Sequence, residues 1–153
     1  MKFKQIKGDL FTVEPDFYLA HCISADFALG KGIAVEFDKR YDMRNKLIST
    51  YNNADLMAHF NTGAITDDKC YSILIDNVFN LVTKEMYYEK PTYITMYRAI
   101  RGMRKQCEML GIKKLAMPRI GCGLDNLNWF KVANYIHNAF NDLDILIRVY
   151  YLK

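Results

Sequence analysis

The residues best suited to chemistry are a lysine and an aspartate, each placed where a regular segment gives way to a turn. Lys84 closes the apolar run NLVTK, and Asp125 closes RIGCGLD, the second of two glycine-rich stretches; the first is ALGKGIA. A lysine amine becomes a nucleophile when partial desolvation lowers its pKa and frees its lone pair, and it then attacks a sugar carbon or an open-chain aldehyde. Glycines let main-chain N–H groups converge without interference from Cβ, and a helix N-terminus adds partial positive charge. Both stretches therefore suit a phosphate or diphosphate. Each feature also has an ordinary counterpart. A lysine at a strand end is commonly solvated, an aspartate ahead of a helix caps it, and glycines before a helix make a tight turn. Neither stretch matches G-x-G-x-x-G or the Walker pattern. Asp9, after the first extended segment, is a further charged candidate on the same edge.

Other chemistries find little support. Cys22, Cys70, Cys107 and Cys122 are widely spaced with no C-x-x-C pair, which points to free thiols rather than zinc or a redox disulfide. His21, His59 and His137 have no metal-ligand spacing, so no metal is expected. The net charge of +4 is spread over mixed-sign runs such as KRYDMRNK and RGMRKQCE. Such runs read as solvated helix faces rather than a nucleic-acid footprint, and the balance accommodates a small anionic ligand. No apolar stretch reaches the roughly 20 residues of a membrane span, and MKFKQIKGD lacks the apolar middle of a secretion signal. The expected setting is cytosolic, or nuclear in a eukaryote, with no membrane partner. Eleven tyrosines assign much of the core and pocket wall to aromatic packing.

These residues need a scaffold. The length of 153 residues suits one domain, 1–153. KFKQIK predicts an extended segment broken at Gly8-Asp9, and the apolar run FYLAHCIS predicts a strand buried on both faces. Gly30 and Gly32 then open a helix carrying Ile33, Val35 and Phe37, and a second helical piece covers Arg44 to Tyr51. NNADLMAHFNTGAITDDK reads as strands and turns. YSILIDNVFNLVTK holds two β-rich runs with a hairpin turn at Asp76-Asn77. From Pro91 to Leu110 the residues Tyr93, Tyr97, Ile100, Met103, Cys107 and Leu110 recur at helical steps, with Pro91 in the first turn and Gly111 as the stop. KKLAMP is a short buried strand, NWFKVANYIHNAF a helix with Trp129, Val132, Ile136 and Phe140 on one side, and DILIRVYYL a closing strand. Strands alternating with helices imply an α/β fold with a mixed, largely parallel sheet covered on both faces. In such sheets ligands bind beyond the carboxyl ends of the strands, where Lys84 and both glycine stretches fall.

Four blocks in register resemble the macrodomain family: GDLF, HCIS followed by GKGIAVEF, VTK followed by KPTY, and MPRIGCGLD followed by Trp129. Within that family they look like the subgroup of terminal ADP-ribose protein glycohydrolases, and the resemblance runs from Lys4 to Leu152. It implies a three-layer α/β/α fold and a hydrolase that removes ADP-ribose from glutamate and other acidic side chains without a cofactor. Lys84 matches the subgroup's nucleophile and Asp125 its acid–base carboxylate. Asp9 and Leu10 match the residues that receive adenine. Ser24, Gly30, Gly32, Ile33 and Ala34 fall in the first ligand-facing loop, and Thr83 directly precedes the lysine. Pro118 and the run Arg119, Ile120, Gly121, Cys122, Gly123 and Leu124 match the loop around the diphosphate and distal ribose; Leu152 matches a contact near the C-terminus.

The sequence also departs from the pattern. The paired asparagines of other macrodomains are replaced by His21-Cys22-Ile23-Ser24, which argues against hydrolysis by an asparagine-positioned water. MYYEKPTY is richer in tyrosine than the subgroup pattern. Tyr87 and Tyr88 are thus open to three readings: stacking on adenine, covering the distal ribose, or ordinary packing at a rim. YNNADLMAHFNTGAITDDKCYS matches no motif.

The implied partner is ADP-ribose or an ADP-ribosylated protein. The alternatives are a phosphatase for ADP-ribose 1″-phosphate, removal of ADP-ribose from nucleic acid, a module that binds ADP-ribose without turnover and, on charge alone, a nucleic-acid-binding domain. Binding alone needs the loops and Asp9, so the joint presence of Lys84 and Asp125 favours an enzyme. No heptad seam asks for assembly, and a monomer is expected.

Overall fold

A computed structural model describes residues 1–60 and 71–152. Its strands are β1 (Lys2–Lys7), β2 (Tyr18–Ser24), β3 (Ser72–Ile75), β4 (Val78–Lys84), β5 (Lys114–Pro118) and β6 (Leu146–Tyr151), joined in one sheet of order β1-β6-β5-β2-β4-β3. Neighbours run parallel except β3 and β4, the expected hairpin, whose turn holds Asp76 at φ 53°. β4 is buried along its length up to Thr83, as an interior strand covered on both faces must be, while β1 at the sheet edge has no fully buried residue.

The helices are α1 (Ile33–Tyr41), α2 (Met43–Thr50), α3 (Asn53–Phe60), α4 (Tyr93–Leu110) and α5 (Trp129–Phe140). α1 and α2 cover one face, where Phe37 stacks on His21 and the Met43 sulfur accepts from Asn80. α4 covers the other and packs against α5; its Gln106 exchanges hydrogen bonds with Ser72 of β3. The result is the three-layer α/β/α arrangement. Phenylalanine supplies the largest buried side chains: Phe17, Phe27, Phe37, Phe60, Phe79 and Phe140 are fully buried, each contributing roughly 1.5–3 kcal/mol by leaving water. Aromatic packing thus supplies much of the core, though through phenylalanine more than tyrosine. Tyr71 and Tyr150 are buried, whereas Tyr87, Tyr88 and Tyr97 are exposed, because a phenol needs a hydrogen-bonding partner that a dry core rarely offers.

Two elements differ from the sequence reading. Asn53–Phe60 is helical rather than strand and turn. The Asn52 side-chain oxygen accepts from the N–H groups of Ala54 and Asp55, and Leu56 and Phe60, four residues apart, are both buried. The remainder of that stretch, 61–70 with Cys70, and the side chain of His59 lie outside the described residues. The long helix starts later than expected, leaving Pro91 outside it. Thr92 accepts from the Thr95 N–H while Thr95 Oγ1 accepts from the Thr92 N–H, a reciprocal cap. Its core stripe is Met96, Ala99, Ile100, Met103 and Cys107, with Leu110 and Tyr97 exposed and Tyr97 meeting Tyr135 of α5 edge-on. Gly111, at φ 65°, ends the helix as expected.

Candidate active site

Parallel pairing sends the carboxyl ends of β1, β6, β5, β2 and β4 to one edge of the sheet. At that edge the β2–β4 register shifts between Ile23 and Ser24, so that Ser24 pairs with Lys84 and Thr83 is passed over. Such a break re-aims the side chains beyond it. Beyond the break the Ala25 N–H donates to the Lys84 carbonyl at 2.9 Å and the Asp26 N–H to that of Glu85 at 3.2 Å, which holds the lysine's main chain in place. The Lys84 ammonium donates to Asp125 Oδ1 at 2.8 Å, with the two side chains 15% and 16% exposed. Asp125 is not the helix cap. Asn128 does that work, accepting from the Lys131 N–H.

The loop carrying Asp125 is shaped by Gly121, at φ 73°. A Cβ there would lie 2.4 Å from Met96 Cε and 3.0 Å from Leu127 Cδ1, so the loop is pressed against α4 and its neighbours. Gly32, at φ 63°, plays the corresponding part in the first loop as the N-cap of α1. Gly30 and Gly123 differ. A Cβ at Gly123 meets nothing within 4 Å and one at Gly30 only a carbonyl at 3.9 Å, so the chain itself does not require either glycine. Bare main chain at both positions suits close approach by an anionic group.

Three loops converge over the ion pair. Leu124 Cδ1 sits 3.5 Å from where a Gly32 Cβ would be, bringing the two glycine loops into contact. Lys90, from the loop after β4, donates to the Leu124 carbonyl. Asp26 ties the first loop to that same segment: its carboxylate accepts from Ser24 Oγ at 2.5 Å, the Ala28 N–H at 3.1 Å and the Tyr87 N–H at 3.0 Å. Sequence reasoning missed Asp26 and Lys90. The available signals were an acid two residues after Ser24, where Asx turns form, and a cation just before Pro91.

The neighbouring thiols and the Ser24 hydroxyl are poorly placed to act as nucleophiles. Burial pushes the Cys22 thiol well above its ordinary range, with the Asp125 charge adding to the effect, and burial pushes Cys122 up to about 11. Both stay protonated and poorly nucleophilic; with Cys107 they are free thiols. The Ser24 hydroxyl is committed to Asp26. His21 is a structural residue of β2 that stacks on Phe37 of α1. Burial lowers its pKa to about 4, and its Nε2 donates to Asn80 Oδ1 at 2.6 Å, since the Asn80 amide nitrogen already donates to the Ile73 carbonyl.

The other anticipated residues divide into two groups. Ser24, Ala34, Thr83 and Ile120 are buried, Ile33, Pro118 and Cys122 half-buried, and Leu124 exposed, all on the loops or strand ends around the pair. Asp9 and Leu10 lie after β1, and Leu152 follows β6. Asp9 accepts from the Phe11 N–H and caps a short 3-10 helix, Leu10–Thr12; the Leu10 side chain belongs to the core and its carbonyl accepts from the Val13 N–H. Arg119 joins that group rather than the ion pair. Its guanidinium donates to Gln5 at 3.1 Å and lies over the Tyr151 ring at 4.2 Å. β1 and β4 are four strand spacings apart, about 19 Å, so a ligand touching both groups is elongated. A cavity of about 360 Å³ bounded by Phe11, Phe17, Arg40 and Asn77 lies elsewhere and includes neither Lys84 nor Asp125.

No protein-family model matches the chain. The sequence is 37% identical over 147 residues to the ADP-ribose glycohydrolase OARD1 of Homo sapiens, covering 96% of this chain and 90% of that protein. It is 36% identical to the Bos taurus protein of the same name, with the same coverage. Among solved structures, the macrodomain of Mycobacterium tuberculosis DarG superposes with a TM-score of 0.76 at 21% identity, over 97% of this chain and 96% of that one. Thermosipho africanus DarTG in complex with ADP-ribose gives 0.70 at 19% identity, over 97% of this chain and 41% of that one.

Proposed function

Since this chain belongs to the macrodomain family of ADP-ribose glycohydrolase OARD1, we propose that it hydrolyses the bond between ADP-ribose and acidic protein side chains, with Lys84 as nucleophile and Asp125 as proton carrier. The observation that carries this reading is the 2.8 Å contact between an amine and a carboxylate, enclosed where two glycine loops meet. Asp125 takes a proton from the Lys84 ammonium, and the freed lone pair forms a bond to C1″ of the distal ribose. The C1″–O bond breaks with its electron pair leaving on the acidic side chain as carboxylate, and Lys84 holds ADP-ribose covalently. Asp125 next relays a proton from the bound nitrogen to the ring oxygen as the C1″–O4″ bond breaks, giving the open-chain lysyl imine that borohydride reduces; water then adds to C1″, the C–N bond breaks, the ring recloses, and the amine recovers its proton. The net change is addition of one water, giving free ADP-ribose and an unmodified acid. The main chain at Gly30, Gly32, Gly121 and Gly123 holds the diphosphate, and this fixes C1″ beside the amine so that attack becomes effectively unimolecular.

The test is incubation with a glutamate-ADP-ribosylated protein while released ADP-ribose is followed, together with borohydride trapping of the lysyl adduct. Lys84→Ala is expected to abolish both release and trapping, and Asp125→Ala to cut release at least about 100-fold. Unchanged turnover in both variants would remove the mechanism.

A further inference from the structure

The loop after Lys84 carries two tyrosines whose rings the fold leaves in water. Tyr87 is 55% and Tyr88 69% exposed, and the rings meet edge to face with centroids 5.4 Å apart. The segment beneath them is braced. The Tyr87 N–H donates to Asp26 at 3.0 Å, the Met86 N–H to Glu89 Oε1 at 2.8 Å, the Glu89 N–H to the Met86 carbonyl at 3.0 Å, and Lys90 to the Leu124 carbonyl. Leu124, 64% exposed on the facing loop, adds a further apolar side chain to the same rim. Aromatic rings on a pre-formed loop bury much area at little cost in conformational freedom, which is the chemistry of a docking surface.

Strand order excludes adenine as their target. Asp9, the residue matched to adenine, follows β1, and the tyrosines follow β4, about 19 Å away across β6, β5 and β2. The nearer end of the ligand is the distal ribose, and the group bonded to its C1″ must leave the crevice past this rim. We propose that Tyr87 and Tyr88 dock the polypeptide flanking the modified acidic residue; this rests on the glycohydrolase reading above. The local charges favour a polypeptide over nucleic acid. Within residues 85–90 the two carboxylates, Glu85 and Glu89, outnumber the one cation, Lys90, so the segment's net charge repels a phosphate backbone. The same net negative charge and the exposed ring faces attract basic side chains, so lysine or arginine beside the modified residue is preferred.

The experiment compares kcat/KM on a glutamate-ADP-ribosylated peptide with that on ADP-ribosyl-glutamate as the free amino acid, for the wild type and for the double variant Tyr87→Ser/Tyr88→Ser. The rings are exposed, so the variant is expected to fold, and its melting curve checks this. The peptide-to-amino-acid ratio is expected to fall about tenfold, mostly through KM, and peptides with flanking lysines are expected to lose their several-fold advantage over peptides with flanking glutamates. An unchanged ratio overturns the proposal. A loss seen only on ADP-ribosylated single-stranded nucleic acid also overturns it, by assigning the surface to that class. A wild type that cleaves neither substrate fails at the glycohydrolase reading itself, a result distinct from an unchanged ratio.

Discussion

Each of the two glycine loops brings an aspartate to the same edge of the sheet, and the chain treats the two carboxylates in opposite ways. Asp26 accepts from Ser24, Ala28 and Tyr87, so its lone pairs are taken up by the protein. Asp125 accepts from Lys84 alone among the described residues. A carboxylate saturated by main-chain and hydroxyl donors fixes geometry, whereas one left with a single charged partner has acceptor capacity for a proton in transit. The glycines show a parallel division. Gly32 and Gly121 adopt left-handed backbone, while Gly30 and Gly123 answer to no requirement within the chain.

The sharpest test exchanges a single atom in each carboxylate. Asp125→Asn is expected to lower ADP-ribose release by about 10²–10⁴-fold with little change in melting temperature. Equal loss from Asp26→Asn would break the distinction. Next in size, Gly121→Ala forces both a left-handed alanine and a clash with Met96, costing about 1–3 kcal/mol from the backbone alone, to be read by chemical denaturation. Asp26→Asn keeps an acceptor but loses its charge, and it is expected to cost about 1–3 kcal/mol of stability while activity falls far less than for Asp125→Asn.

Acid acts away from both loops, on neutral His21, which stacks on Phe37 of α1. The folded-state pKa is lowered to about 4 from 6.5, so between those values the unfolded chain binds a proton that the folded chain refuses. This contribution to stability is complete above pH 6.5 and declines as pH falls toward 4, by at most about 1.4 kcal/mol per pH unit. Melting temperatures across that range are expected to drop, less steeply in a variant that keeps the site apolar, such as His21→Phe. The smallest effect belongs to Gly123→Ala. Its stability stays within about 0.5 kcal/mol of wild type, and calorimetric titration reveals weaker ADP-ribose binding if that bare main chain faces the ligand.

Much of this arrangement was legible in the sequence because it is written in short-range patterns. The apolar run of β2, the hairpin at Asp76-Asn77, the stop at Gly111 and the alternation of strands with helices are local periodicities and turn preferences. With the right-handed crossover that parallel strands demand, they place the ends of β4 and β5 on one edge of one sheet. Lys84 and Asp125 follow from that placement. What failed was also local but mixed: Asn52 is a cap that can equally begin a turn, and the Leu56–Phe60 spacing is too brief a helical signal to outweigh its surroundings.

Tertiary structure alone decided that residues 41 apart close to 2.8 Å, that Asp26 and Lys90 clamp three loops together, that Arg119 turns toward β1, and that Tyr87 and Tyr88 stand exposed at the rim while Tyr71 and Tyr150 are buried. A strand's own sequence specifies its faces and its ends, since side-chain alternation and turn chemistry act within a few residues. Its neighbours are chosen by the packing of the whole sheet against two helical layers. Contacts between loops depend on that choice, because only the strand order determines which loops lie side by side.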